Sequence, residues 1–320
     1  MTHASSPSLI GLDWGTSSLR GYLMAADGDV IETAARPWGI QHLPAGGFPE
    51  AFQGLVAAWL RHDPPLPIVA AGMVGSRQGW REVPYVECPA DAATIARGLL
   101  PFSVAGARIH LVPGVIQRGP LPNVLRGEET QIVGTVARDP TLASDSLLVL
   151  PGTHAKWARV RDGRLIGFET YITGELFAVL REHSLLGKPA REAGAADGDP
   201  AAAQAAFERG LAVARDSGPA GVAGRLFTAR SLFLTGDLSA ADTLHYLSGL
   251  LIGEEIRSVL ASRHDGPRPP VALIGDATLC ARYHRAWAAF GGGEAHVCGD
   301  SAAGGLWRIA AAAGLVSPDR

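Results

Sequence analysis

Hydrophobic and polar positions along the chain spell one pattern twice. Leu9-Ile10-Gly11-Leu12 is a short apolar run that ends at Asp13. The polar loop Trp14-Gly15-Thr16-Ser17-Ser18 follows, then an extended stretch over 19–25, an Asp27-Gly28 turn and a second extended stretch from Val30. Apolar runs bounded by turn residues read as strands, and Asp-Gly is a strong hairpin signal. The second copy begins at Leu147-Leu148-Val149-Leu150, turns through Pro151-Gly152-Thr153-His154, extends over 157–160, turns at Asp162-Gly163 and resumes at Leu165-Ile166. The period is too long for a solenoid. It predicts two lobes that share one fold, although two unrelated hairpins would leave the same trace.

Between the copies, 68–71 reads as a buried strand running into the glycine-flanked loop Gly72-Met73-Val74-Gly75-Ser76-Arg77, and 109–112 as a further strand. Amphipathic spacing predicts helices over 50–61 and 126–137. The second half carries helical spacing over 173–186, 201–214, 240–262, 279–290 and 302–313, with loops over 193–200, 216–224 and 263–270 and a strand over 271–274. Strands and helices mixed in this order predict an α/β class with two sheets. The turn-rich stretch 139–145 sets the predicted boundary, giving lobes over 1–143 and 144–320.

Composition narrows the function. The chain has 320 residues, 47% apolar and 18% charged, with a net charge of −3. That length suits two domains, and that charge offers no basic field for nucleic acid or an anionic membrane. The three cysteines lie far apart without a CxxC pair, which argues against a disulfide framework. The first residues lack the basic start and apolar run of a signal peptide, and no window approaches the ~20 apolar residues of a membrane helix. The expected location is the cytoplasm, and the expected partner is a small molecule held by local groups.

Two loops can carry chemistry. Nucleotide phosphates need backbone N–H donors, close approach and a metal ion. Gly15, Thr16 and Ser17 supply the donors after the first strand, and Asp13 can hold a hydrated Mg²⁺. Gly152 and Thr153 offer a second such loop, with His154 and Lys156 to neutralise charge. Each loop alone also reads as a plain hairpin. Other signatures are missing: Gly187-Lys188 runs into Pro189, so there is no Walker motif, and no GxGxxG, HExxH or GxSxG occurs.

The two Gly-Thr loops resemble those of the sugar kinase, hexokinase, actin and Hsp70 superfamily. Five stretches resemble, more closely, the 2-dehydro-3-deoxygalactonokinase family: Ile10 to Thr16, Ala71 to Ser76, Leu125-Arg126-Gly127-Glu128-Glu129-Thr130-Gln131, Leu150 to Trp157 and Tyr246 to Glu255. The resemblance implies two ribonuclease-H-like lobes of an actin-like ATPase duplication with a nucleotide cleft between them. It implies transfer of the γ-phosphoryl of ATP, with Mg²⁺, to the terminal hydroxyl of 2-dehydro-3-deoxy-D-galactonate in galactonate catabolism. By order along the chain, Glu128 is then the base or orienting acid, with Glu129 as its alternative. Ser76 and Arg77 are candidates for the substrate carboxylate, Trp80 for its apolar face, and Arg126 and Arg20 for a competing anion contact. Gly275 and Asp276 stand where the superfamily holds adenosine, and Thr173-Gly174-Glu175 follows a strand that can approach sugar or nucleotide. The Gly304-Gly305 helix is expected to pack back on the first lobe, and a homodimer is left open. Three rivals share these features: a kinase for another sugar acid, a phosphatase of the same superfamily, and a nonenzymatic sugar sensor.

Overall fold

A computed structural model describes residues 6–194, 199–262 and 268–317. The chain begins with β1 (Pro7–Trp14), β2 (Leu19–Ala25), β3 (Val30–Arg36), α1 (Gly47–Val56), β4 (Ile68–Ala71), β5 (Val86–Glu87), α2 (Ala92–Arg97), β6 (Leu100–Val104), β7 (Ala107–Leu111), β8 (Val115–Gln117), β9 (Asn123–Leu125) and α3 (Glu128–Arg138). It continues through β10 (Asp145–Leu150), β11 (Ala155–Arg161), β12 (Arg164–Tyr171), α4 (Thr173–His183), α5 (Lys188–Ala193), α6 (Pro200–Arg215), α7 (Thr228–Leu234), α8 (Asp242–Ala261), β13 (Val271–Leu273), α9 (Ala277–Ala289), β14 (Ala295–Val297) and α10 (Ala302–Ala312).

One sheet runs β3-β2-β1-β4-β7-β6 and another β12-β11-β10-β13-β14. Each places the third strand of its set first, then the second, the first and a later strand. The doubled sequence pattern is therefore a doubled topology, and the α/β two-sheet expectation holds. Among the described residues a third small sheet, β5-β8-β9, also forms. Its strands are two or three residues long, too short to leave a period in the sequence.

Contacts divide the chain into two units less simply than one cut between 143 and 144. The first comprises residues up to Leu148, Ala158–Phe168 and those from Asp300 on; the second comprises Val149–Trp157 and Glu169–Gly299. In the first unit, strand alternation sends Ile10, Leu12 and Trp14 into one core with Phe52, Ile68 and Ile109. Gly11 and Asp13 take the other face, where a Cβ on Gly11 would stand 3.1 Å from Leu306 of α10. Asp13 ends β1 in register with Arg20 of β2 and Ala71 of β4. The helix expected over 50–61 stops at Val56 and gives way to a short 3-10 turn over Trp59–Arg61.

The second unit is mostly helical around α8, whose face Tyr246, Leu250 packs with Ala206 and Ala214 of α6. The helices expected over 173–186, 201–214, 240–262 and 279–290 correspond to α4, α6, α8 and α9. Parts of the predicted loops 193–200 and 263–270 lie outside the described residues.

Candidate functional site

In the first unit, the end of β1 gathers three acids. Asp13 is paired in register with Arg20, whose guanidinium donates to Asp300 at 2.8 Å. Burial pushes the Asp13 carboxyl up to about 6; nearby Asp300 adds to the rise, Arg20 opposes it and Glu128 adds to it again. Asp300 also accepts the N–H of Ala302, capping the approach to α10. Thr16 and Ser17 are exposed beside this cluster. Their loop is braced from behind: Ile40 and Gln41 donate backbone N–H groups to Gly15 and Thr16, and the Trp14 indole donates to Trp38.

Two glycines bring further segments to the same place. Gly72 has φ of 95°, and a Cβ there would stand 2.7 Å from the Trp14 carbonyl oxygen. Gly127 has φ of 107° and a Cβ on it would meet Gly72 at 3.4 Å. That bend starts α3 at Glu128, not at 126, and the Glu128 carboxylate accepts the Arg126 backbone N–H at 2.9 Å. Glu128 thus belongs with Asp13. Glu129 does not: it is 1% exposed, and its carboxyl accepts from the Gly127 N–H and the Thr130 hydroxyl. Burial, and then Glu128, push Glu129 up to about 8, so it is largely uncharged at neutral pH. The expectation of Glu129 as an alternative base is corrected on that ground, because it is buried, both its oxygens are already engaged, and it has little charge to give.

Arg126 reaches Gly75, the residue before Ser76, where a Cβ would stand 3.1 Å from Nη1 of Arg126. One arm of Arg126 donates to the Val83 carbonyl at 2.8 Å, and its guanidinium lies 4.4 Å from the Tyr85 ring centroid. Its Nε and Nη1, and the Ser76 hydroxyl, are buried without hydrogen-bond partners among the described residues. Unpaired buried donors are costly, and a guanidinium is shaped for a carboxylate. Arg77 is exposed. Trp80 is corrected: its ring packs with Trp14, Phe48, Phe52 and Phe102 at centroid distances of 5.2–5.9 Å, which commits it to the aromatic core.

In the second unit, the loop after β10 is clamped by the start of α4. A Cβ on Gly174 would stand 2.3 Å from the Gly152 carbonyl oxygen, Glu175 donates its N–H to Thr153 at 3.0 Å, and its carboxylate meets the His154 ring at 2.5 Å. Thr153 and His154 are exposed. Lys156 is 5% exposed and its ammonium donates to Thr170 at 3.1 Å. Gly275 has φ of 129° and runs beside Pro151, while Asp276 caps α9 through the Leu279 N–H. A cavity of about 110 Å³ opens here, lined among others by Gly152, Gly174, Ser248, Ile252, Leu279 and Arg282. Arg282 donates to Ser248 and His245, both neutral acceptors, and burial lowers its pKa.

Sequence reasoning missed Asp300, Ser248 and Arg282. Asp300 stands among unremarkable loop residues. Ser248 and Arg282 sit in helical patterns where nothing but a partner reveals a role.

The family model for 2-keto-3-deoxy-galactonokinase matches residues 13–309. The chain is 38% identical over 276 residues to a probable 2-dehydro-3-deoxygalactonokinase of Rhizobium meliloti (strain 1021), covering 86% of this chain and 87% of that one. It is 36% identical over 299 residues to the 2-dehydro-3-deoxygalactonokinase of Escherichia coli (strain K12), covering 92% and 94%. A crystal structure of a candidate 2-dehydro-3-deoxygalactonokinase from Sinorhizobium meliloti matches with a TM-score of 0.85 at 35% identity, over 95% of this chain and 98% of that one.

Proposed function

From the premise that the chain belongs to the 2-keto-3-deoxy-galactonokinase family, we propose that the residues gathered in each unit carry ATP-dependent phosphorylation of 2-dehydro-3-deoxy-D-galactonate to its 6-phosphate. The terminal hydroxyl oxygen of the sugar acid forms the new bond to the γ-phosphorus, the bond to the ADP oxygen breaks, and the hydroxyl proton passes to Glu128. Glu128 is the acid that stands with Asp13 at the end of β1. Arg126 and Ser76 hold the substrate carboxylate. Arg77, exposed on the same loop, adds positive charge at the rim.

Gly15, Thr16, Ser17, Gly152, Thr153 and His154 present backbone and side-chain donors to phosphate oxygens. Lys156 supplies charge from beneath its loop. Gly275, Asp276 and the small cavity beside them take the adenosine.

The acids around Asp13 fit Mg²⁺. Their mutual repulsion and the raised Asp13 pKa are relieved by a cation. Mg²⁺ keeps most of its waters and takes one or two carboxylates, which Asp13 and its acidic neighbours can supply. The ion neutralises phosphate charge when bound.

The observation that carries this reading is the set of unpaired buried donors on Ser76 and Arg126. A water-using phosphatase has no need of a carboxylate site. The test is ADP release with Mg-ATP and a panel of sugar acids, each with and without acceptor. Release should require 2-dehydro-3-deoxygalactonate. Arg126→Ala should raise the acceptor KM by about 100-fold and leave the ATP KM near wild type. Glu128→Gln, which keeps the acceptor to the Arg126 N–H, should cut kcat by about 100-fold or more. Acceptor-independent release would establish a hydrolase instead.

A further inference from the structure

Glu255 of α8 is a buried carboxylate that the reaction does not use directly. It is 2% exposed, and no ion pair reaches it among the described residues. Three donors converge on it. The Trp157 indole N–H donates to one oxygen at 2.6 Å, the Tyr283 hydroxyl to the other at 2.8 Å, and the Thr173 hydroxyl joins Tyr283 on that second oxygen. A carboxylate accepts and never donates, so it can serve all three at once.

The three donors come from three separate elements. Trp157 lies in β11, immediately after Lys156. Thr173 is the first residue of α4, and its neighbours Gly174 and Glu175 press on Gly152, Thr153 and His154. Tyr283 lies on α9, which begins beside Gly275 and Asp276. Tyr283 and Thr173 both line the small cavity. Ser248 and Ile252 stand seven and three residues before Glu255, on the same face of α8, and line that cavity too.

We infer that Glu255 is the positioning residue for nucleotide in the second unit: its carboxylate fixes the phosphate loop, the start of α4 and the α9 wall of the base cavity in one register. The inference rests on the kinase reading above. Burial raises the Glu255 pKa above its ordinary value, and the three donors hold that rise back, as befits an acid kept for the donors it binds together. A buried acid with no cationic partner is a poor device for stability alone. It is well suited to fixing geometry, where a displacement of about 1 Å can cost 100-fold in rate.

The test uses the full chain as Glu255→Gln, Glu255→Ala and Thr173→Val. MgADP affinity by calorimetry, thermal midpoint, and KM for MgATP and for acceptor are measured for each. Glu255→Gln can still accept from Trp157 through its amide oxygen and can donate its NH₂ to the Tyr283 and Thr173 hydroxyl oxygens, so MgADP should weaken only about three-fold. Glu255→Ala and Thr173→Val should weaken it about ten-fold or more, with the MgATP KM rising in step and the acceptor KM within about two-fold of wild type. If Glu255→Ala does not fold, the Gln and Thr173→Val chains carry the test. Folded variants that bind MgADP as wild type does, including any that lose only thermal midpoint, overturn the inference and leave the kinase reading standing. A wild-type chain that binds no MgADP overturns the kinase reading and the inference with it.

Discussion

Asp13 illustrates how a residue can be kept against the interest of the fold. Its carboxyl is held up at about 6 against an ordinary 3.8, first by burial and then by Asp300. A folded-state pKa above the unfolded one means that folding favours the protonated form. The penalty is therefore absent below about 3.8, grows as pH rises, and is complete above about 6. Asp13→Asn should raise the thermal midpoint by several degrees at pH 7.5, and the gain should vanish near pH 3.5. Turnover should fall at every pH, since function and stability part company at such sites. A midpoint equal to wild type at pH 7.5 would remove the strain argument. At this scale the sequence was partly legible. Asp13, Gly15 and Gly152 stand out because glycine and acid after an apolar run are unusual. Arg126 and Ser76 gain their meaning only from missing partners, which no local pattern records. Trp80 looked like a substrate face and lies in a ring cluster, because an aromatic side chain reads alike in either place.

At the scale of elements, the helices that carry the acids are set by glycine contacts. α3 begins at Glu128 and α10 follows Asp300, and the two cross where a Cβ on Gly305 would stand 1.8 Å from the Thr130 carbonyl oxygen and one on Gly134 would stand 2.1 Å from that of Ser301. The Ser301 hydroxyl ties the crossing by bonding to Thr135 at 2.7 Å and to the Gln131 carbonyl at 2.8 Å. Backbone cannot yield as a side-chain tip can. Gly305→Ala should force the helices apart at a cost of about 1–3 kcal/mol and lower turnover as well, because it displaces the Glu128 and Asp300 ends together. Gly304→Ala is the control, since its Cβ would approach Gly134 only to 3.9 Å. Equal denaturation midpoints for the two variants would show that the crossing has slack. Helical spacing made both helices legible, and Gly304-Gly305 drew notice. Which of those two glycines touches a partner is a matter of tertiary phase, invisible along one helix. The short strands β5, β8 and β9 escaped for a different reason: two or three residues do not complete a period.

The whole molecule adds a constraint that neither residues nor elements show. The first unit draws on residues from Asp300 on as well as on the first half of the chain. α10 buries Leu306, Trp307 and Ile309 there; Leu306 packs over Gly11 of β1, and the Trp307 indole donates to the Ala25 carbonyl at 3.2 Å. Burying three such side chains contributes about 5–9 kcal/mol, which is comparable to the entire stability of an ordinary domain, about 5–15 kcal/mol. A chain ending at Gly299 should therefore fail to hold the first unit. Hydrogen exchange should show the amides of β1, β4 and α3 losing protection. Those of α6 and α8 should keep it, since the α6–α8 crossing at Gly210 and Gly249 lies wholly in the second unit. Protection retained in β1 would mean that the sheet and α1 suffice without α10. Protection lost throughout would mean that the second unit depends on the first for its stability. The expected split has a functional consequence. Asp300 and the Glu128 end of α3 are assembled only when residues from both halves of the sequence meet, so the acid cluster exists only in a chain whose first unit has closed.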